Sequence, residues 1–222
     1  MAEKRKIKAA IFDMDGTIAD SEKIAKWVSK DFFAKRGIVL RKDEERDIFG
    51  LNWKDLVREV LERKGMEYDQ QIKNTLKERY VRNMRKKVEA IPGIYELLDD
   101  IKKDLKLALA TNSRIREVDI ICKKLGFDKY FEVKLARNHV KNAKPHPEIY
   151  LKAAEILKVS PRQCVVFEDS ITGIKAAKAA GMFCIAITNT FGKDMLSEAD
   201  HIIEKYSQID LWKIRSFTVN TK

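Results

Sequence analysis

The sequence predicts an α/β protein, a doubly wound parallel-sheet core with a small α-helical domain inserted after the first strand. Three observations carry that expectation. "IKAAIF", Ile7 to Phe12, is a short unbroken apolar run of the kind found in a strand buried on both faces. From Asp20 to about Val88 the chain is charged and amphipathic at helical spacing. After "IPG", Ile91 to Gly93, helical and strand-like segments alternate, and repeated α-then-β units imply parallel pairing.

In the helical tract, Ile24, Trp27, Val28, Phe32 and Phe33 form one apolar stripe, and Leu56, Val57, Val60 and Leu61 form another. Breaks near Gly37, Gly50 and Gly65 divide the tract into about four helices, enough for a small bundle. Beyond it, helix "IYELLDDIKKD" precedes strand "LKLALAT", and helix "IREVDIICKKLG" precedes strand-like "FEVKLA". Helix "PEIYLKAAEILK" then precedes strand "QCVVFED", and helix "GIKAAKAAG" precedes strand "FCIAIT". In the tail after Lys205 only a short helix through Trp212 is readable. Residues 1–18 and 89–222 are therefore expected to form a Rossmann-like core, and residues 19–88 the inserted helical domain.

Composition narrows the function. Hydrophobic residues make up 45% and charged residues 36% of 222 residues, apolar enough for a sizeable core. A net charge of +11 would welcome a small anionic substrate or a nucleic acid. Yet most basic residues are interleaved with acidic ones, as in "RKDEERD" and "LERKGMEYD", which suits a solvated, ion-paired face better than a phosphate-tracking stripe. Nucleic acid is not the expected partner, although "EKRKIK" and "RNMRKKVE" are local exceptions. Cys122, Cys164 and Cys184 are odd in number, widely spaced and flanked by aliphatics, so they read as buried thiols of a reducing compartment. No apolar run approaches the roughly 18 residues of a membrane span, and a cytoplasmic protein with no membrane partner is expected.

Open parallel sheets place their chemistry beyond the carboxyl ends of the strands. Here those ends carry Asp13, Asp15 and Gly16 after the first strand, Thr111 and Asn112 after "LALA", and Glu168 and Asp169 after "VVF". Lys144, in "AKPHPEIY", precedes a helix. Asp13, Glu168 and Asp169 would repel one another without a hard cation, and Mg²⁺ suits a few carboxylate or carbonyl oxygens plus waters. Asp13 can act as a nucleophile that becomes an aspartyl-phosphate, while Asp15 gives a proton to the leaving oxygen and later takes one from water. Thr111, Asn112 and Lys144 can cradle a phosphoryl group. Taken singly, each of these residues has an ordinary structural reading as a turn, a helix cap or a surface charge; their occurrence together and in order is what points to chemistry. His139, His146 and His201 read as solvated loop residues without a role.

"DMDGT", Thr111, Lys144 in "KPHP" and "FEDS" resemble, in order and spacing, the four signatures of the haloacid dehalogenase-like superfamily. The resemblance spans the whole chain, and "FEDSITGIKAAKAAGM" is most similar to the branch of β-phosphoglucomutases and phosphoglycolate phosphatases, whose helical cap follows the first strand. It implies Asp13 as nucleophile, Asp15 as acid/base and carbonyl ligand to Mg²⁺, Thr111 and Lys144 as phosphate binders, and Asp169 as metal ligand with Glu168 assisting. Asp15 disfavours halide displacement, and phosphonatases usually carry alanine at its place. The mutases of the branch carry a histidine early in the first cap helix, where this chain reads Lys23, Ile24, Ala25, and an arginine in the cap loop where "GLNWKD" places Trp53, beside Lys54.

The expected function is a Mg²⁺-dependent phosphomonoesterase acting on a small phosphorylated metabolite, with the loop Gly50 to Asp55 of the cap closing over the substrate. The alternatives are a β-phosphoglucomutase-type mutase and a catalytically inactive basic interaction protein.

Overall fold

The computed structural model describes residues 6–40 and 53–217. Two compact units divide the chain: Met1–Ala19 with Ala90–Lys222, and Asp20–Glu89. The change falls one residue beyond each boundary read from the sequence.

The first unit is built on a six-stranded sheet of β1 (Ala9–Phe12), β2 (Lys106–Ala110), β3 (Val133–Leu135), β4 (Cys164–Glu168), β5 (Phe183–Ile187) and β6 (His201–Ile203). Its order is β3-β2-β1-β4-β5-β6, and every neighbouring pair is parallel. β1, β4 and β5 are buried along their whole length, which explains why they appear in sequence as unbroken apolar runs. β6 escapes sequence reading because it is an edge strand of three residues, two of them only half-buried. It also takes His201 out of the loop in which the sequence reading placed it.

Successive residues of β1 face opposite ways. Ala9 and Ile11 join a buried layer with Ala108, Cys164, Val166, Ile149 and Tyr150. On the opposite face Phe12 stacks on Phe167, with centroids 4.5 Å apart and planes 3° from parallel. The register pairs Phe12 with Phe167, so the next residues, Asp13 and Glu168, emerge side by side at the carboxyl ends of adjacent strands. The strand order reverses direction about β1 and β4, the place where open α/β sheets form their crevice.

The second unit holds α1 (Glu22–Ala34), α2 (Trp53–Arg63) and α3 (Gln70–Lys87) among the described residues. Breaks at Gly37 and Gly65 follow α1 and α2, whereas Gly50 lies outside the described residues. Ile24, Val28, Phe32 and Phe33 of α1 are buried, as are Val57, Val60 and Leu61 of α2 and Leu76, Val81 and Met84 of α3. Arg79 meets Asp31 at 2.8 Å and ties α3 to α1. Trp27 departs from the expected core stripe: it is 45% exposed, with the Lys87 ammonium 4.2 Å above its ring. Asp69 caps α3 by accepting from Ile72 N at 2.7 Å, and Arg85, Lys86 and Lys87 complement the dipole in its last turn.

The remaining helices belong to the first unit: α4 (Ile94–Ile101), α5 (Ile115–Leu125), α6 (Glu148–Leu157), α7 (Ile171–Ala179) and α8 (Leu211–Ser216). The short tail helix read through Trp212 is α8, and Trp212 itself is 78% exposed. Ala19 bridges Ala90, and Ile91 N donates to Ile18 O at 3.0 Å, so the chain leaves and re-enters the sheet unit side by side. Among the described residues no helix is long and apolar enough to cross a membrane. Cys122, Cys164 and Cys184 are free thiols and buried, as the sequence predicts.

Candidate active site

Four strand-to-helix turns converge on Lys144. Its ammonium donates to Asp13 Oδ1 at 2.6 Å, to Glu168 Oε1 at 2.7 Å and to the Ala110 carbonyl at 2.9 Å. Lys144, Asp13, Glu168 and Asp169 are all buried. A buried lysine with three acceptors spends its whole donor capacity, so its position is fixed rather than sampled. Burial works to lower its pKa, but the Asp13 and Glu168 carboxylates outweigh that and hold the ammonium above the ordinary lysine range.

The carboxylates have different surroundings. Burial pushes Asp13 up to about 8 against the pull of Lys144, and Glu168 and Asp15 add to the rise. Glu168 goes the other way: burial works to raise it, but Lys144 and hydrogen bonds from Lys144, Tyr150 and Ser170 hold it below the usual carboxylate range. Its Oε2 accepts from Asp169 N at 3.0 Å, Ser170 N at 3.1 Å and Ser170 Oγ at 2.9 Å, at the N-terminus of α7. Gly173 makes that seat possible, because a Cβ there would overlap the Glu168 carboxylate. Ser170 Oγ also caps α7 by accepting from Gly173 N at 3.1 Å.

Asp169 receives Thr17 Oγ1 at 3.2 Å on Oδ1 and Thr190 Oγ1 on Oδ2. Gly16 sits against it with φ +75, where a side chain would be strained and would strike the same carboxylate. Asn189 donates from Nδ2 to the Gly16 carbonyl at 2.7 Å and holds the turn from the end of β5.

Asp13, Glu168 and Asp169 place ligand atoms within 4.8 Å of one another. Three buried carboxylates stand against one ammonium, and that donor set fits a hard divalent cation such as Mg²⁺. The cluster does not include the Asp15 carboxylate. Glu168 joins the cluster, yet five hydrogen bonds already occupy its two oxygens.

The half-buried Asp15 faces the turn after β2. Ser113 Oγ donates to Asp15 Oδ2 at 2.6 Å and Thr111 Oγ1 donates to the same oxygen at 3.3 Å. Thr111 Oγ1 also accepts from Ser113 N at 3.0 Å, which shapes the turn. Asn112, the third residue read as a phosphate contact, is tied to the lysine's loop. Its Oδ1 accepts from Lys144 N at 3.0 Å and its Nδ2 donates to Lys144 O at 3.4 Å, so the side chain clamps the loop that carries the lysine. Trp53 and Lys54 open α2, and their side chains, like residues 50–52 of "GLNWKD", lie outside the described residues.

Tyr150, Ser113, Thr17 and Thr190 are site residues that sequence reasoning missed. Thr190 was within reach, since it follows the β5 strand "FCIAIT" and the strand-end rule applies there equally. Tyr150 was not, because it reads as one more apolar position of α6.

Residues 10–187 match the haloacid dehalogenase-like hydrolase family, and the chain belongs to it. It is 37% identical over 180 residues to the phosphorylated carbohydrates phosphatase of Thermotoga maritima, covering 79% of this chain and 82% of that protein. It is 30% identical over 214 residues to the β-phosphoglucomutase of Bacillus subtilis, covering 92% of each. Among solved structures, CbbY from Rhodobacter sphaeroides in complex with phosphate superposes with a TM-score of 0.74 at 28% identity, over 91% of this chain and 96% of that one.

Proposed function

We propose that this hydrolase is a Mg²⁺-dependent phosphomonoesterase that cleaves a small phosphorylated metabolite through an aspartyl-phosphate on Asp13. The observation that carries the reading is Lys144 bridging Asp13 and Glu168 at adjacent strand ends, with Asp169 beside them.

An ionised Asp13 oxygen attacks phosphorus, and the bond from phosphorus to the leaving oxygen breaks. Asp15 supplies the proton that this oxygen needs. Asp15, now a base, then takes a proton from water, whose oxygen attacks phosphorus; the bond to Asp13 breaks and inorganic phosphate leaves. Lys144, held in place beside Asp13, would set its charge against a non-bridging phosphoryl oxygen and needs no reorganisation during transfer. Bound Mg²⁺, held by Asp13, Asp169 and the Asp15 carbonyl, would compensate the carboxylates and the phosphoryl oxygens. Ser113 and Thr111 orient Asp15 through the bonds they make to it, and Thr111 keeps its proposed contact with the phosphoryl group. We place substrate selection in the helical unit, with Trp53 and Lys54 as contacts to the non-reacting part of the substrate.

Mutase chemistry is the second reading, favoured by the identity to a β-phosphoglucomutase over 92% of each chain. Against it, residues 20–89 contain no histidine to serve the proton transfer expected of the mutase cap. One incubation separates the two: β-glucose 1-phosphate with Mg²⁺ and a trace of glucose 1,6-bisphosphate. Release of inorganic phosphate without glucose 6-phosphate is expected, and accumulation of glucose 6-phosphate would replace the phosphatase reading with the mutase one.

A further inference from the structure

We infer that Tyr150 is a positioning residue, acting through Glu168 to fix the lysine of the active site. The inference rests on the phosphatase reading above and adds a residue to it. Tyr150 lies on α6, two residues after Glu148 and six after Lys144, and it is fully buried. Its hydroxyl donates to Glu168 Oε1 at 2.7 Å, the same oxygen that accepts from Lys144 at 2.7 Å. The Lys144 ammonium also sits 4.7 Å from the centre of the Tyr150 ring. Tyr150 therefore touches the lysine twice, once through the carboxylate and once through the face of its ring.

This arrangement solves a particular problem. Lys144 has two carboxylates to choose from, and Asp13 must be released for attack on phosphorus. A lysine shared by two carboxylates follows the more firmly held one. Glu168 is anchored at Oε2 by the α7 N-terminus, but about that anchor the carboxylate can still swing Oε1, the oxygen that faces Lys144. The Tyr150 hydroxyl closes that freedom by pinning Oε1. With Glu168 held at both oxygens, Lys144 keeps its place when Asp13 becomes bonded to phosphorus.

Replacing the hydroxyl alone isolates the effect, because Tyr150→Phe keeps the ring and its volume. The full-length chain and its Tyr150→Phe, Glu168→Gln and double variants are assayed for aryl phosphate hydrolysis in saturating Mg²⁺. Tyr150→Phe is expected to lower kcat about tenfold or more, the equivalent of one hydrogen bond to a charged group, with KM within about twofold. In the Glu168→Gln background the same change is expected to cost less than about twofold, because the partner through which it acts is already altered. A residue that only packs the core would lower activity by the same factor in both backgrounds, and that result overturns the inference. So does a Tyr150→Phe variant with wild-type kcat, or one that no longer folds by circular dichroism. An inactive wild-type chain would instead remove the phosphatase reading, so the two failures are distinguishable.

Discussion

At the scale of single residues the site depends on close approaches that two glycines permit. Gly173 lies inside α7, where replacement by alanine ordinarily stabilises a helix by roughly 1 kcal/mol. The prediction here has the opposite sign, because the added methyl occupies the seat of the Glu168 carboxylate. Gly173→Ala should lower stability by about 1 to 3 kcal/mol, the cost of overpacking a filled site, and should depress phosphatase activity with it. Urea unfolding monitored by circular dichroism checks this; a midpoint equal to or above that of the wild type would show that Glu168 is not seated as described. The sequence made Asp13, Asp15, Lys144 and Asp169 legible because each sits at a fixed offset from a strand or a proline-bounded turn. It did not make Ser113 or Tyr150 legible. Their role comes from a hydroxyl meeting a carboxylate 98 and 18 residues away in the chain, and no local spacing encodes such a meeting.

At the scale of elements, the strands that carry the site are also the strands that bury the thiols. Cys164 opens β4 and Cys184 lies within β5, while Cys122 is on the buried face of α5. Burial pushes Cys122 and Cys164 up to about 12, and it also raises Cys184 well above the ordinary thiol range. For an acid raised above its ordinary value near 9, the stabilising contribution is complete below 9 and is lost as pH climbs toward 12. Two consequences are measurable. The native protein at pH 8 should react with an aromatic disulfide reagent far more slowly than it does in denaturant, where three thiols are titrated. The melting temperature should then fall between pH 9 and 12 more steeply than that of a variant with Cys122 and Cys164 replaced by alanine. Rapid labelling of the native protein, or identical alkaline slopes, would contradict the burial of these elements. The elements themselves were readable wherever a run was long enough to show a period. Trp27 was misplaced because its spacing fits the α1 stripe while its ring lies at the edge of it, under Lys87. β6 was missed because two of its three residues are only half-buried, whereas the equally short edge strand β3 lies in the run "FEVKLA" with two of its three residues buried.

At the scale of the whole molecule, a sheet whose order is β3-β2-β1-β4-β5-β6 gathers residues more than 150 positions apart into one cluster. The alternation of helix and strand made that sheet predictable, and the inserted helical unit was predictable from the change in periodicity after Asp20. The substrate was not, because residues at the strand ends specify handling of a phosphoryl group and say nothing of the molecule that carries it. On the proposed mechanism Asp13 attacks phosphorus with Mg²⁺ beside it. The direct measurement is release of phosphate from a small aryl phosphate by the wild-type chain and by Asp13→Asn, each with Mg²⁺ and with excess chelator. The wild type should be active only with the metal, and Asp13→Asn should lose at least about a thousandfold in kcat while retaining its fold, as expected when a covalent nucleophile is removed. Asp13→Asn activity at the wild-type level, or wild-type activity indifferent to the chelator, would contradict the account.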